Sequence, residues 1–207
     1  IVFDNRGIGE STVASYYDPI TIELMAQDTI ELIKHLEIKR FNLFGGSMGM
    51  IALCVALNIP SDLKLEKLII GFSTARVRPD SRWYQDAEQL YKLPELSFPK
   101  DIQKQKDLLL NSYEKYTVRY LLEHPDKLDK IVEIMVNTNT KRPFEIIKRQ
   151  WEGAKQCNLV SRLHTIKVPT LIIHGEADEV TPIQDGEILD REIPNTQFYR
   201  IPNAEHR

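Results

Sequence analysis

Apolar and polar positions along this chain alternate between two periods in a regular order. Ile1, Val2 and Phe3 form a short apolar run, expected to be a buried strand. Met25, Thr29, Leu32 and Leu36 then recur at helical spacing, flanked by Ile22, Ala26 and Ile33. This predicts a helix from about Pro19 or Thr21 to Leu36, with Asp18 as its N-cap and Pro19 in the first turn. A second apolar run, residues 41–44, predicts a strand that passes through Gly45, Gly46 and Ser47 into a helix over residues 47–57. Asn58, Ile59 and Pro60 stop that helix. Residues 65–72 predict the next buried strand. After a long interruption the pattern resumes with a strand at residues 168–174, a helix at 183–192 and a strand at 196–201. Strands alternating with helices specify an α/β protein, a mostly parallel sheet flanked by helices, with its sites at the carboxyl ends of the strands.

The interruption, residues 76–156, has a different character. Strand-like runs disappear and charged residues alternate at helical period. One stripe is Leu128, Ile131, Val132, Met135 and Val136; another is Phe144, Ile147, Trp151 and Ala154, with Pro143 placed for a first helical turn. Pro94, Pro99, Pro125 and Pro143 punctuate it. The expected organisation is a core of residues 1–75 and 157–207 carrying a helical insertion at 76–156. No internal repeat or low-complexity segment interrupts this plan.

Chemistry concentrates in the turns. Gly45, Ser47 and Gly49 have the spacing G-x-S-x-G. A serine on a sharp strand-to-helix turn projects its hydroxyl, and glycines on either side let the two segments approach. The Met48 N–H stands beside it at a helix N-terminus, where a developing oxyanion could be held. The plainer reading of the pentapeptide is a glycine-rich turn with a bystander serine. Two other loops change that balance. Asp178 follows the strand ending at His174 and Gly175, and His206 follows the strand ending at Ile201. Serine needs a base, histidine can supply it, and a carboxylate fixes the tautomer of that histidine. The order Ser47, Asp178, His206 suits an α/β sheet. Glu176 and Glu179 compete with Asp178 for the acid position. His174 is expected to bond locally and hold its turn, His35 to be a solvated residue beside the C-terminus of its helix, and His124 and His164 to be structural. The turn at residues 4–11 lacks G-x-G-x-x-G, because Thr12 stands where the third glycine would be, so a dinucleotide cofactor is not expected. Gly7 and Gly9 supply permissive backbone there, while Asp4 and Arg6 are expected to bond each other or loop amides.

Composition narrows the partners. The 207 residues carry a net charge of −3 with no basic stripe, so nucleic acid is not an expected partner. No apolar run approaches the roughly 20 residues needed to span a bilayer. Cys54 and Cys157 lack metal or redox spacing and are expected to be two buried free thiols, in keeping with a reducing compartment. No metal or cofactor is expected; the partner is a small-molecule substrate. The chain opens as though a strand were already in progress and without an initiator methionine, the expectation for a fragment.

With these motifs in view, the chain resembles the α/β-hydrolase superfamily, in the serine-nucleophile branch that carries a helical cap. Residues 4–11 resemble its D-x-R-G-x-G-x-S loop, 45–49 its nucleophile elbow, 169–182 its strand and acid loop, and 203–206 its histidine loop. The resemblance implies Ser47 as nucleophile, Asp178 as acid, His206 as base, the Met48 amide as one oxyanion donor, and residues 76–156 as a cap that selects substrate. Relatives that hydrolyse epoxides or carbon–halogen bonds carry aspartate at the elbow. Ser47 instead points to acyl transfer: hydrolysis of a small carboxylic ester, thioester or lactone through an acyl-enzyme. The helix containing Arg149 and Gln150 looks closest to methylesterase and enol-lactonase relatives. Aminopeptidase, carbon–carbon bond hydrolase and perhydrolase activities, or a non-catalytic ligand-binding member of the fold, are the alternatives. Relatives begin with strands and a loop carrying the second oxyanion amide ahead of the residue 4–11 turn. Without them the 207 residues alone are expected to aggregate and to be nearly inactive.

Overall fold

A computed structural model describes residues 1–15, 17–90, 101–111, 115–137 and 143–206. Its frame is a four-stranded parallel sheet in the order β1 (Arg40–Gly46), β2 (Lys64–Gly71), β3 (Thr170–Gly175) and β4 (Thr196–Ile201). Each strand lies beside its sequential neighbour, so all four run out at one edge. Gly46 is level with Gly71, Gly71 with Ile173, and Gly175 with Ile201. The loops that follow β1, β3 and β4 therefore open on the same side.

The connections between strands are helical. Helix α1 (Ile22–His35) precedes β1, α2 (Met50–Leu57) joins β1 to β2, and α8 (Ile183–Glu192) joins β3 to β4. A 3₁₀ helix (Val160–Thr165) leads into β3. The long excursion between β2 and β3 carries α3 (Arg82–Leu90), α4 (Ile102–Leu110), α5 (Lys115–Glu123), α6 (Pro125–Asn137) and α7 (Phe144–Gln156). Pro94 and Pro99 lie outside the described residues.

Helix α2 is apolar on all sides because it is enclosed. Met50, Ala52, Leu53, Cys54 and Val55 are buried between the sheet and α1. Helix α1 is instead amphipathic and buries Ile22, Met25, Ala26, Ile30 and Ile33. These residues join Leu68, Ile70, Ile172 and Leu189 in one continuous core. Ile146, Trp151 and Ala154 of α7 belong to that same core, whereas Leu109, Leu121, Leu128 and Val132 of α4, α5 and α6 make a second, separate one.

Three local expectations are corrected. The first is the N-cap of α1, which is Thr21, not Asp18: the Thr21 hydroxyl accepts from Leu24 N–H at 3.1 Å. The helix starts where a side-chain acceptor meets its orphan amides, three residues after the aspartate. Second, Asp4 takes a loop amide as expected, accepting Glu10 N–H at 3.4 Å, but Arg6 does not pair with it. It reaches back to α1 and grips Asp28 through two bonds of 2.6 Å, a fork geometry that a carboxylate on a fixed helix satisfies better than a loop partner. Third, Ile1, Val2 and Phe3 form no strand. Ile1 and Val2 are 89% and 98% exposed, and among the described residues no strand lies alongside to pair with them.

The sheet is covered unequally. The face carrying Gly45, Ile70, Ile172 and Phe198 packs under the helices. On the other, Ile69, Leu171 and Ile173 are half-buried, while Phe44 and Tyr199 are 60% and 63% exposed. Parallel sheets ordinarily bury both faces. This one presents an apolar surface to solvent.

Candidate active site

The elbow after β1 is built by contact between glycines. A Cβ on Gly49 would lie 2.6 Å from the Gly45 carbonyl oxygen, and one on Gly45 would lie 2.6 Å from Ala52 Cβ. No side chain fits at either position, which is why the chain can turn sharply enough to begin α2. Ser47 sits at the apex with φ of 54°, the left-handed region that a residue with a side chain enters only under strain. Its N–H donates to the Gly71 carbonyl at the end of β2 (3.1 Å), so the strained residue is tied to the neighbouring strand. Met48 follows at the entrance to α2.

Asp178 is placed by its own loop. Its Oδ1 accepts the N–H groups of Val180 and Thr181, each at 2.9 Å. The loop is also tied to its surroundings, since Arg82 N–H donates to Glu179 O and Ala177 N–H to Ala204 O. Asp178 is only 4% exposed, while Glu176 and Glu179, the two carboxylates beside it in the loop, face solvent. Burial pushes the Asp178 carboxyl toward the neutral form. The imidazoles of His174 and His206 and the Thr181 amide outweigh burial and hold it well below the usual carboxylate range.

His206 completes the set. Its Nδ1 lies 2.9 Å from Asp178 Oδ2, and its Nε2 lies 2.9 Å from Ser47 Oγ, across 159 residues of sequence. An ionised carboxylate can only accept, so Nδ1 carries the proton and Nε2 is left to accept from the serine hydroxyl. The structure thus brings together Ser47, Asp178 and His206, with the Met48 amide next to the serine.

Two neighbours were not among the residues that the sequence singled out. Phe72, just beyond β2, has φ of 38° and sets its ring edge-on to His206, with centroids 5.2 Å apart. A Cβ on Gly46 would come within 2.9 Å of that ring, so the glycine makes room for it. Thr181 is a hub: its hydroxyl lies 3.0 Å from Asp178 Oδ2, 3.0 Å from Phe72 O and 3.2 Å from His206 Nδ1. A threonine three residues after a loop aspartate is the one local hint, since that spacing lets its amide reach the carboxylate.

The remaining histidines and cysteines stand apart. His124 stacks on Tyr120, and His164 lies exposed in the 3₁₀ helix. Cys54 and Cys157 are free and buried, and burial raises their thiols to about 11 and about 12. Among the described residues no cluster of histidine, cysteine and carboxylates could hold a metal ion, and no helix is long and apolar enough to cross a membrane.

Comparison with known proteins agrees with this architecture. The sequence profile of the alpha/beta hydrolase fold matches residues 1–207. The chain is 23% identical to 3-oxoadipate enol-lactonase 1 of Acinetobacter baylyi, matching all of this chain and 71% of that protein. It is 27% identical to a monoacylglycerol lipase of Bos taurus over 95% of this chain, which spans 59% of the lipase. Among solved structures, the enol-lactonase from Burkholderia xenovorans superposes with a TM-score of 0.71 at 25% identity, covering 96% of this chain and 70% of that one. A profile matched from the first residue to the last, on a parallel sheet with a nucleophile-elbow turn, places this chain in the α/β-hydrolase family of hydrolytic enzymes.

Proposed function

We propose that the protein is a serine hydrolase that cleaves a small-molecule carboxylic ester, thioester or lactone through an acyl-enzyme. The observation that carries this reading is the continuous chain of two 2.9 Å contacts from Ser47 Oγ through His206 to Asp178, at a serine held in a left-handed elbow. Ser47 Oγ attacks the substrate carbonyl as His206 Nε2 takes its proton. Asp178 stabilises the imidazolium without taking the proton itself. The Met48 N–H, at the entrance to α2, holds the oxyanion. His206 then returns the proton to the departing oxygen or sulfur. Water repeats the sequence against the acyl-enzyme, and Ser47 is regenerated.

The choice of ester or lactone rests on serine, in place of aspartate, at the elbow and on the enol-lactonases among the similar proteins. Residues 76–156 are assigned to a cap that shapes the acyl pocket. In support, Arg82 and Trp83, at the start of α3, donate their amides to Glu179 and Val180 in the acid loop.

Activity-based labelling tests the proposal on the full-length protein, whatever its extent beyond Ile1 and Arg207. A fluorophosphonate probe should modify Ser47, and Ser47→Ala should abolish labelling. Ser47→Ala and His206→Ala should each lower ester turnover by roughly 10⁴–10⁶, and the double variant should lose little more, because the residues act as one unit. A folded wild-type protein that leaves the probe untouched contradicts the reading.

A further inference from the structure

The carboxylate of Asp178 has a second imidazole behind it. His174 is the fifth residue of β3, and its side chain is fully buried. Its Nε2 lies 2.7 Å from the Thr181 carbonyl oxygen and 3.5 Å from Asp178 Oδ2. A carbonyl oxygen only accepts, so Nε2 carries a proton whether the ring is neutral or cationic. The edge of His174 turned toward Asp178 is therefore positive in either state. Thr181, whose carbonyl it holds, also touches Asp178 through both its amide and its hydroxyl. The surrounding charges come from several elements. Asp185, in the first turn of α8, is buried with its Oδ1 unpartnered among the described residues, as is Nδ1 of His174. A Cβ on the adjacent Gly186 would come within 2.9 Å of that Nδ1, which puts this turn of α8 directly against the ring. Arg200, level with His174 on β4, is engaged by Glu187 of α8. Arg78 and Asp80 pair with each other, and their charges act on Asp185. His206 lies beyond Asp178.

Resting on the hydrolase reading above, we propose that His174 is a positioning residue for the triad. It clamps the Thr181 carbonyl with its Nε2–H and sets that positive edge of the ring 3.5 Å from Asp178 Oδ2, so that it offsets part of the carboxylate's charge and makes His206 release its proton more readily. A base that must be neutral to accept from Ser47 then stays neutral to lower pH. The group touches neither substrate nor serine; it acts through Asp178 and Thr181. Burial alone would serve a structural histidine equally well, so the distinguishing property is its effect on the titration of His206.

The test is the pH dependence of fluorophosphonate labelling at Ser47 in the full-length protein, for wild type, His174→Phe and His174→Gln. Removing the N–H leaves more negative charge on Oδ2 facing His206, which raises the proton affinity of His206. His174→Phe should therefore move the acid limb of the labelling rate upward by roughly half to one pH unit. Gln, which retains an N–H for the Thr181 carbonyl, should return the limb most of the way. A folded His174→Phe protein whose acid limb is unmoved, or moves downward, overturns the proposal. If that variant does not fold, the imidazole nitrogen spectrum of the wild type decides. A protonated Nε2 on His174 supports the clamp, and a bare Nε2 overturns it. Failure of the wild type to label at any pH is a separate result, and it overturns the hydrolase reading first.

Discussion

Replacing Gly175 with alanine would place a methyl group where the histidine loop passes over the end of β3. The new Cβ would lie 2.7 Å from the Ala204 carbonyl carbon and 2.9 Å from the Glu205 oxygen. Comfortable carbon–carbon contacts are about 3.5–4.0 Å, so the loop backbone must retreat by about 1 Å. Ala204 is also the acceptor for Ala177 N–H, the bond that fastens the histidine loop to the acid loop. Overpacking of this kind costs about 1–3 kcal/mol, and the strained loop bond adds up to about 1 kcal/mol. The kinetic cost should be larger. Displacing His206 by about 1 Å relative to Ser47 and Asp178 should slow acylation by roughly 10²-fold. Gly71→Ala is the matched control at the same edge of the sheet. Its Cβ would meet only the Phe44 ring, at 3.3 Å and 3.5 Å, and that ring is exposed and free to swing away. The two variants should be compared by the rate of fluorophosphonate labelling and by urea unfolding. Gly71→Ala should behave like wild type. If Gly175→Ala labels within about threefold of wild type, or if both variants lose the same activity, loop clamping does not position His206.

Two further outcomes follow from the same structure. Burial raises the Asp185 carboxyl from 3.8 to about 6, so the folded protein binds its proton more tightly than the unfolded chain does. Stability should therefore fall as pH rises from about 4 to about 6, by an amount of order 2–3 kcal/mol. Asp185→Asn should flatten that slope in urea midpoints measured across this range; an unchanged slope would show that Asp185 is not the group responsible. The uncovered sheet face predicts that residues 1–207, produced alone, bind a hydrophobic dye such as ANS and self-associate. Phe44→Ser combined with Tyr199→Ser should reduce both, whereas a monodisperse chain that ignores the dye would contradict the exposure of these rings.

Much of the site was legible because its determinants are local. A strand that must turn into a helix within a few residues needs glycines where the segments touch, and Gly45 and Gly49 touch each other. The apolar periods marked the four strands, and with them the edge where Ser47, Asp178 and His206 would emerge. The limits of α8 and β4 came out as the pattern predicts, Ile183–Glu192 and Thr196–Ile201, because each element is short and bounded by turn residues.

Packing between distant segments decided the rest. Asp18 and Thr21 are both good N-caps by composition, and only the path of the chain gave Thr21 the free amide. Arg6 had a plausible partner two residues away and chose Asp28, twenty-two residues on, because α1 holds that carboxylate square to the guanidinium. Ile1, Val2 and Phe3 read as a strand, yet a strand exists only where a neighbour accepts its hydrogen bonds. Thr181 meets Phe72 across 109 residues, and His174 faces Asp178 only because β3 and the acid loop fold back on each other. The sequence by itself thus determined the α/β alternation, the glycine-flanked turn at Ser47 and the order of the three candidate residues, since these depend on backbone geometry over a few positions. The tertiary structure alone decided the distances among them, the second imidazole behind Asp178 and the bare face of the sheet, since charge, burial and close approach are properties of segments that meet only in space.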